Sequence, residues 1–594
     1  MQLTPEQQIV LDTNSDLVIN AVAGSGKTTT LIAYAQTRPP GSRILYLAFN
    51  KTVKTEAIQK FMQAGLQNVR VETAHSLAYD YMIRNSRYQV VQGYRSHEWC
   101  EILDIRTGDR LVDFIIGSHV AKFISFFCNS TAEKAQQLDY AATITDVKAA
   151  AFVKNFYSNI LSLTRTALSK MDKGEIAVTH DFYLKKFQLS RPVLPYDYIL
   201  FDEGQDASAA MLDVFLRQPA TRIIVGDRHQ QIYGWRYAVN SLQEVDFPVY
   251  HLSNSFRFGD EIALVANNIL SWKTHLQQGP AVKIIGAGIP SDINETKAVL
   301  GRTNLSLLLE AISRWQHGQL NSLYFEGNIN SYTFADEGAS LYDVLNLYNG
   351  KTTGIRDKLI AEMKSMRELE SYIDQTEDNS LAMIVDVVKE FGNQLPSLVN
   401  ELKMHHTAEK KDADMIFSTV HRCKGMEYDE VTLLNDFISE DRLKKYIVQG
   451  GAEKMGEAER NRLGEEINIL YVAATRARNK LIIPPDINPL RSIELAGPSL
   501  PRQAGTVKGY QRNSYMASPD MGETLGQAYR ADNRGARKPG NAGKRWTREE
   551  DMELADLFGD GVEIGEIARQ LHRGTYSIRI RLIKMGLLDE GDAY

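Results

Sequence analysis

The chain alternates short, almost wholly apolar runs with longer stretches of helical periodicity. Four runs that end in Gly, Asp or another polar residue occur in the first half, at LVIN (17–20), RILYLAF (43–49), YDYILFDE (196–203) and TRIIVGD (221–227). Runs this short and this apolar, with helical patterns between them, are typical of parallel strands buried on both faces. They predict a first parallel sheet.

A second group of apolar runs lies in the last third of the chain, at MIFSTVH (415–421), EVTLLND (430–436) and NKLIIPP (479–485). By the same argument it predicts a second α/β sheet. Two such sheets can enclose a cleft between them.

Helical periodicity fills the intervals between the two groups. Residues 86–184, which contain AAAFVKNFYSNILSLT, are predicted to be an insertion into the first sheet. Residues 304–413, with the helical stretches IRDKLIAEMKSMRELESYI and LPSLVNELKMHH, are predicted to be a second insertion. Residues 498–543 turn to Gly, Pro, Ser, Asn and Arg, which indicates a flexible basic linker before a small C-terminal unit.

Composition restricts the class of protein. At 594 residues the chain is long enough for about four domains of roughly 150 residues each. Its 43% hydrophobic and 24% charged residues exclude a fibrous or wholly disordered protein. The net charge of -6 excludes a histone-like coat of positive charge, but it leaves open a channel lined locally by Lys and Arg.

Cysteine usage and the N-terminus indicate the compartment. Cys100, Cys128 and Cys423 are far apart and form no CxxC pair, so we expect neither a disulfide framework nor a zinc or iron–sulfur site. MQLTPEQQ lacks the basic start and apolar core of a signal peptide, and no stretch approaches roughly 18 uninterrupted apolar residues. We therefore expect a cytoplasmic protein without a membrane span, in a bacterial or phage-infected cell.

The motif AVAGSGKT (21–28) directly follows the run LVIN and precedes the helical TTTLIAYAQ. Backbone N–H groups of such a loop and of the following helix can cradle phosphate oxygens, Lys27 can reach the β and γ phosphates, and the Thr28 hydroxyl can bind Mg²⁺. Ala21 replaces the first Gly of the usual GxxxxGK[ST] pattern. The alternative is a Gly-rich turn that binds nothing. The predicted nucleotide-binding residues of the loop are Ala23, Gly24, Ser25, Gly26, Lys27, Thr28 and Thr29.

The partner motif is ILFDEGQD (199–206), an apolar strand that ends in adjacent acids. Hydrolysis of a γ-phosphate needs charge neutralisation and a placed nucleophile. We therefore expect Asp202 to hold Mg²⁺ and Glu203 to orient and deprotonate the attacking water. Taken alone, such acids are as often a solvated strand end or a helix cap, and together with the phosphate loop they indicate a nucleotidase.

Further motifs follow in a fixed order: TPEQQ, LAFNK, TAHS, FDEGQD, VGDRHQQIYGWR, SFRF, GRTN, STVHRCKGMEYD and YVAATRAR. In this order the sequence resembles the UvrD/Rep-type superfamily 1 DNA helicases over nearly all of residues 1–490. The stretches AFNKTVKTEA, TAHSLAY and THDFYLKKFQLSRP are most similar to the F-box DNA helicase branch. No F-box segment precedes Gln7, so the resemblance is expected to cover the motor alone.

The resemblance implies roles around the nucleotide. Gln7 is expected to contact the adenine edge, and Phe256 to stack on the base. Many relatives carry Arg after GKT, where this chain has Thr29, so the preference for ATP stays open. Gln230 is expected to couple the γ-phosphate to the DNA site, Arg257 and Arg476 to approach that phosphate from the second sheet, Glu427 to contact the ribose, and Gly425 to allow close backbone approach.

Other residues are candidates for contact with single-stranded DNA. The run from Ile232 to Arg236 combines aromatic faces with a cation, a chemistry that holds unpaired bases without recognising their sequence. The alternative is that these aromatics belong to the core. The predicted contacts are Phe49, Asn50, Thr73, His75, Tyr233, Trp235, Arg236, Thr419 and His421. His180 and Lys185, in the shared segment THDFYLKK, are further candidate DNA contacts. Lys424 lies in the motif TVHRCKG, which in the family touches both nucleotide and DNA. Cys423, in the same motif, is expected to be passive.

Residues 544–588 suit three short helices and resemble the Myb/SANT-like and helix-turn-helix class. Thr547 and Glu550 have the spacing of a capping box. The third helix is expected to present basic and aromatic side chains to phosphates or a groove, and a protein-binding role is the alternative. These side chains are Arg573, Tyr576, Arg579, Arg581 and Lys584.

The expected fold is α/β, with two RecA-like P-loop domains, mainly helical insertions and a small all-α C-terminal domain. The predicted bounds are 1–85 with 185–250 for the first ATP-binding domain, 86–184 for its insertion, 251–303 with 414–497 for the second domain, 304–413 for its insertion, 498–543 for the linker and 544–594 for the C-terminal domain.

The expected function is ATP- and Mg²⁺-dependent movement on single-stranded DNA, 3′ to 5′ by resemblance, in replication, repair or recombination. The expected substrates are single-stranded DNA and tailed or forked duplexes, with a protein partner or DNA structure recruited through the C-terminal domain. A translocase that strips proteins from DNA with little unwinding is the main alternative. An RNA track, a helicase–nuclease and a non-enzymatic binding module are the others.

Overall fold

The computed structural model describes residues 3–234, 240–279, 282–289, 291, 295–327, 329–335, 338–450, 456–490, 548–559, 562, 564–573, 578 and 581–582. The chain forms two compact units, Met1–Pro498 and Ser499–Tyr594, which are described separately. The predicted linker, 498–543, lies outside the described residues.

The described strands are short and mostly buried. In chain order they are β1 (Leu17–Ala21), β2 (Ile44–Ala48), β3 (Val69–Thr73), β4 (Val90–Val91), β5 (Val178–Thr179), β6 (Tyr198–Phe201), β7 (Thr221–Gly226), β8 (Val249–Leu252), β9 (Asn254–Ser255), β10 (Ile285–Gly286), β11 (Lys297–Gly301), β12 (Leu323–Phe325), β13 (Met415–Thr419), β14 (Tyr428–Leu433) and β15 (Ala477–Ile482).

Helices connect these strands and build the insertions. They are α1 (Pro5–Asp12), α2 (Lys27–Gln36), α3 (Lys51–Gln63), α4 (Ala74–Met82), α5 (Ser96–Leu103), α6 (Arg110–Asn129), α7 (Val147–Lys173), α8 (His180–Leu189), α9 (Ala209–Leu216), α10 (Ser241–Glu244), α11 (Asp260–Ser271), α12 (Asn304–Gln316), α13 (Leu341–Tyr348), α14 (Lys358–Glu362), α15 (Met366–Thr376), α16 (Asn379–Phe391), α17 (Leu395–Met404), α18 (Glu440–Gly450), α19 (Glu457–Ala474), α20 (Arg548–Gly559) and α21 (Ile564–Gln570).

The first sheet has the strand order β3-β2-β6-β7-β1-β8, and every neighbouring pair is parallel. The four apolar runs of the first half form its interior strands β1, β2, β6 and β7, as predicted. The sequence missed the two edge strands, β3 and β8, because partial exposure breaks up their apolar pattern. The sheet is thus an α/β sheet with parallel strands, which confirms that part of the fold prediction.

The second sheet has the order β12-β13-β11-β14-β15 and is also parallel throughout. Its edge strand β12 and the preceding helix α12 fall inside the range 304–413 that the sequence assigned to the second insertion. β12 pairs with β13, so this boundary is corrected and the inserted helices begin after Phe325. The stretch predicted as one helix from residue 355 is two helices, because Ser365 caps the start of α15.

The two sheets share apolar packing at their junction. Val22, Ala23 and Ile232, which follow strands β1 and β7 of the first sheet, are buried in the same core as α11 and α19, which cover the second sheet. The end of β1 therefore lies where the two halves of this unit meet.

Helix α6 is long and apolar enough to cross a membrane by length and composition alone. It is not an uninterrupted apolar run, since Arg110, Asp113 and Lys122 lie within it, and the sequence expectation concerned only such runs. The core helix of a folded domain meets the same criterion. α6 is mostly buried within the first insertion, where it packs against α5, α7 and α8. Its burial is that of a core helix.

The second unit is described through α20, α21 and a few residues after them. Leu554, Ile567, Leu571, Ile578 and Leu582 form a small apolar core. The predicted capping residue Thr547 lies outside the described residues.

Candidate functional site

The loop between β1 and α2 has the geometry of an anion cradle. Gly24 and Gly26 have φ angles of 74° and 78°, a left-handed conformation that favours glycine. Helix α2 begins at Lys27, and the first N–H groups of a helix have no partner within it. The buried Ser25 Oγ has no hydrogen-bond partner within the described part of the chain. A phosphate oxygen would supply the acceptor that this loop lacks.

Lys27 and the two predicted acids meet at the ends of neighbouring strands. Lys27 Nζ lies 3.0 Å from Glu203 Oε1. The Tyr46 hydroxyl donates to Asp202 Oδ2 and is also hydrogen-bonded to Thr28. The two predicted magnesium ligands, Thr28 and Asp202, are therefore brought to one point, and hydroxyl and carboxylate oxygens are the donor atoms that Mg²⁺ prefers.

The pKa values of the two buried acids are shifted in opposite directions. Burial and the neighbouring Glu203 charge raise the pKa of Asp202. The Lys27 and Lys424 ammonium groups hold the pKa of Glu203 below its usual range, although burial alone would raise it. Glu203 also has a φ of 54°, an uncommon conformation for a residue with a side chain. The carboxylate that is expected to orient water thus stays ionised in a constrained position.

Arg257, one of the two predicted arginines, reaches the loop from the second half of the unit. Phe256 N donates to Gly24 O at 2.9 Å, and a Cβ added to Gly24 would lie 2.6 Å from Arg257 Cβ. Burial and the nearby Arg476 cation lower the pKa of Arg257 to about 10. Arg476 is also buried and donates to Met426 O at 3.1 Å. Arg257 therefore stands beside the anion cradle, and Arg476 is its cationic neighbour.

The predicted base and ribose contacts already have partners in the protein. Gln7 Nε2 donates to Thr30 Oγ1 at 3.0 Å, while its Oε1 accepts from Thr4 N at 3.0 Å. Glu427 bridges Arg257 at 2.7 Å and Arg478 at 3.0 Å. Phe256 is 43% exposed, so its ring is accessible for stacking. Thr29 is also exposed.

Asp227 and Tyr471 form a link that the sequence analysis missed. Asp227 Oδ2 accepts from Gln230 Nε2 at 2.9 Å and from the Tyr471 hydroxyl at 2.8 Å. The same hydroxyl accepts from Ala23 N at 3.4 Å. Asp227 belongs to the motif VGDRHQQIYGWR and Tyr471 to YVAATRAR. An acid at a strand end and a tyrosine in an apolar helix were the features of the sequence that could have indicated this link. The link connects Gln230 to the phosphate loop.

Lys424 joins the acidic motif to an aromatic pair. Its ammonium forms a buried ion pair with Asp206, donates to Gln230 O at 2.6 Å and lies 4.8 Å from the centre of the Tyr233 ring. Phe49 and Tyr233 stack with ring centres 5.6 Å apart. The predicted strand contacts at residues 49 and 233 are therefore adjacent, and one cation connects them to the acidic motif.

His421, from the second half, contacts the segment that contains Tyr233. Its Nε2 lies 3.1 Å from Ile232 O, and the Tyr233 hydroxyl donates to His421 O at 3.0 Å. Thr419 ends β13 and is buried, while Gly425 has a φ of 88° in the turn that follows. The remaining predicted members of the aromatic run, Trp235 and Arg236, lie outside the described residues. Cys423 is buried, and burial raises the pKa of its thiol to about 12, in keeping with a passive role.

Three predicted DNA contacts lie at the carboxyl ends of the neighbouring parallel strands β2 and β3: Asn50, Thr73 and His75. Asn50 accepts from Val53 N and thereby caps α3, and Thr73 accepts from Ser76 N to cap α4. His75 is exposed and lies 3.7 Å from an Asp181 carboxylate oxygen. Helix capping accounts for the first two side chains, whereas the His75 ring is available at the surface.

Two candidate contacts with nucleic acid are corrected. Lys185 is 1% exposed, donates to Ser130 O at 2.8 Å and lies over the Phe127 ring, so it is a core residue. His180, the other candidate DNA contact of this segment, is exposed beside His75. In the C-terminal unit, Arg573 is 3% exposed and makes a two-pronged ion pair with Glu550. A buried arginine held in this way cannot be presented to a groove. Arg581 is partly exposed, and Tyr576, Arg579 and Lys584 lie outside the described residues.

Comparison with known proteins agrees with these motifs. Residues 3–245 match the family model of the UvrD/REP helicase N-terminal domain. F-box DNA helicase 1 of Gallus gallus is 27% identical in an alignment 543 residues long that covers 84% of this chain and 50% of the relative. F-box DNA helicase protein 1 of Schizosaccharomyces pombe is 27% identical over 83% of this chain and 58% of its own length.

ATP-dependent DNA helicase PcrA of Bacillus subtilis is 28% identical over a shorter region, 45% of this chain and 39% of the relative. The chain thus spans little more than half the length of the F-box relatives it matches. The resemblance predicted from the ordered motifs is confirmed.

Proposed function

We propose that this chain, which carries a UvrD/REP helicase N-terminal domain and is similar to F-box DNA helicases over most of its length, is an ATP-driven motor that moves along single-stranded DNA. One observation carries the proposal. Lys27 and Glu203 from the first sheet and Arg257 from the second half lie at one phosphate-binding loop, and Arg476 is the cationic neighbour of Arg257. The distance between the cations of the second half and the phosphate-binding loop changes when the two halves move relative to each other.

The phosphates of ATP fit the loop from Ala23 to Thr28. Lys27 then exchanges its ion pair with Glu203 for phosphate oxygens, and Glu203 becomes available to orient water. Thr28 and Asp202 would hold Mg²⁺, which would neutralise charge on the phosphates. The proposed adenine contacts are Gln7, whose Nε2 would lie 3.4 Å from a Cβ added to Gly26, and Phe256, whose ring is exposed and whose N donates to Gly24 O.

Hydrolysis is coupled to motion because the site is shared. Arg257 and Arg476 stabilise the negative charge that develops on the phosphates only when the second half is close. A chain of hydrogen bonds joins the phosphate loop through Tyr471 and Asp227 to Gln230, in the segment that follows β7. The position of this segment therefore depends on the same closure. Opening and closing of the junction therefore follow the state of the nucleotide.

The DNA strand is held beside the nucleotide by Phe49, Tyr233 and His421, together with Trp235 and Arg236 of the same run. Stacking of a base on an aromatic ring contributes roughly 1–3 kcal/mol and tolerates every base. Asn50, Thr73, His75 and Thr419 extend this contact. Movement is 3′ to 5′ by family resemblance, on single-stranded DNA and on tailed or forked duplexes, in replication, repair or recombination. The C-terminal unit, which contains Arg581, recruits the motor to a partner protein or DNA structure.

The first test measures ATP hydrolysis with no nucleic acid, with single-stranded DNA and with single-stranded RNA, beside a Lys27→Ala chain. Stimulation by DNA that Lys27→Ala abolishes supports the proposal. Equal stimulation by RNA would assign a different track, and no stimulation would leave only a nucleotidase. Stimulation without strand separation on tailed duplexes would favour a translocase that strips proteins from DNA.

A further inference from the structure

His229 and Lys273 form a buried contact across the two halves of the large unit. His229 follows β7 of the first sheet, within the segment that contains Asp227 and Gln230. Lys273 lies in a 3₁₀ turn, Trp272–Leu276, whose Trp272 and Leu276 are buried in the core of the second half. Lys273 Nζ lies 3.0 Å from His229 Nδ1, and both side chains are less than a tenth exposed.

The other ring nitrogen of His229 determines which group donates in this contact. Arg228 Nε donates to His229 Nε2 at 3.1 Å, so Nε2 must carry the lone pair. Burial, together with the Arg228 cation, holds the pKa of His229 well below its ordinary value, and the ring is therefore neutral. A neutral ring whose Nε2 accepts carries its proton on Nδ1. The Nδ1–H then donates to Lys273, which can accept only as an uncharged amine.

The surroundings of Lys273 favour the uncharged amine. Burial and the Arg228 cation lower the pKa of Lys273 to about 7, and the Asp227 carboxylate opposes them. From α19, which packs against the turn, Tyr471 donates to that same Asp227. From α18, Glu440 is engaged by His275 at 3.1 Å and by Lys444 at 2.8 Å. The only carboxylate among the described residues that favours the charged form of Lys273 is thus shared with other donors.

We infer that Lys273 is a positioning residue: its neutral amine accepts the Nδ1 proton of His229, joins the two halves there, and on protonation loosens the segment from Asp227 to Gln230. A protonated amine presents only donors, so it cannot accept from Nδ1–H and the contact becomes unfavourable. Asp227 holds both Gln230 and Tyr471, so loosening this segment disturbs the link to the phosphate loop. The inference rests on the proposed function, because Gln230 is there the coupling residue.

The test uses the full chain and measures DNA-stimulated ATP hydrolysis from about pH 6 to about pH 8.5. In the wild type, stimulation falls as the pH decreases through about 7, by at most about tenfold per pH unit for one proton. Lys273→Gln keeps an acceptor, its amide oxygen, at every pH, so it loses this fall near pH 7. Lys273→Met has no acceptor, and its stimulation is low at every pH. Lys297→Gln removes the charge of an exposed lysine in the same half and keeps the wild-type profile.

A wild-type profile in Lys273→Gln, or full stimulation in Lys273→Met, would overturn the inference. If DNA stimulates none of the chains, the proposed function fails, and thermal unfolding then decides the Lys273 contact. Since the amine has a pKa near 7 when folded and about 10.5 when unfolded, the unfolded chain binds the extra proton between these values. The midpoint of the wild type should therefore rise relative to Lys273→Gln as the pH increases over this range. A constant difference would refute the neutral amine.

Discussion

The Lys424 ammonium connects the Asp206 carboxylate, three residues after Glu203, to the face of the Tyr233 ring, whose centre lies 4.8 Å away. Both charged groups are buried, so removing one of them leaves the other without a compensating charge in the interior. The proposed hydrolysis site and the proposed base-stacking site therefore share one cation.

Removing this cation should separate hydrolysis from DNA binding. We expect Lys424→Met to lower the stimulation of ATP hydrolysis by DNA at least about tenfold, because the Asp206 charge is left buried and Tyr233 loses its neighbour. The unpaired charge also destabilises the fold, by roughly 3–5 kcal/mol. The double variant Asp206→Asn with Lys424→Met removes both charges and should recover most of the stability but not the stimulation. Recovery of both would show that the pair is only structural.

Acid should break the same ion pair. Burial raises the pKa of Asp206 to about 6, although Lys424 opposes the shift. The folded chain therefore takes up a proton as the pH falls through 6, and the neutral acid no longer pairs with the ammonium. In the Lys273→Gln chain, we expect DNA stimulation to fall around pH 6. Addition of Asp206→Asn should remove that pH dependence. A persistent fall in the Asn variant would assign the proton to another group.

Stacking on Phe49 and Tyr233 should provide sequence-independent affinity. We expect Tyr233→Ala to weaken binding of single-stranded DNA by about 1–3 kcal/mol, or roughly 5- to 150-fold, similarly for purine and pyrimidine oligonucleotides. Tyr233→Phe keeps the ring and removes the hydroxyl that donates to His421 O, so its affinity should stay close to that of the wild type. Fluorescence anisotropy measures both. Equal losses in the two variants would implicate the hydroxyl rather than the ring.

Gly24 and Gly41 allow a matched test of the loop. Both have a positive φ, 74° and 87°, but an added Cβ at Gly24 lies 2.6 Å from Arg257 Cβ, whereas at Gly41 nothing lies within 4 Å. Gly24→Ala should therefore push the second half away from the loop and lower nucleotide affinity at least about tenfold. Gly41→Ala carries only the backbone strain of roughly 1–2 kcal/mol and should bind nucleotide normally. A fluorescent ATP analogue reports the difference, and equal affinities would argue against contact between Arg257 and the loop.

The interior of the first sheet was predictable because buried parallel strands are apolar throughout, as β1, β2, β6 and β7 show. In the second sheet the same pattern predicted β13, β14 and β15 but missed the central strand β11, in which only three consecutive residues are apolar. The edge strands β3, β8 and β12 were also missed, since β3 and β8 face solvent in part and β12 is only three residues long. The phosphate loop and its acids were predictable because their chemistry fixes local spacing.

Long-range partners were less accessible from the sequence. Nothing beside Lys185 or Arg573 in the chain indicates that Ser130 and Glu550 hold them in the interior. The link from Tyr471 to Asp227 joins residues 244 positions apart. The contact between Lys273 and His229 crosses from one half of the unit to the other. Such pairs are determined by the packing of the two sheets, and a local pattern cannot reveal them.

The central claim is that hydrolysis drives directional movement along single-stranded DNA. It is tested most directly by the time the chain takes to reach a fluorophore placed at the 5′ or the 3′ end of oligonucleotides of increasing length, with ATP added to start the reaction. Movement from 3′ to 5′ predicts an arrival time at the 5′ end that increases in proportion to length, and no such signal in Lys27→Ala. Arrival times independent of length at both ends would contradict it.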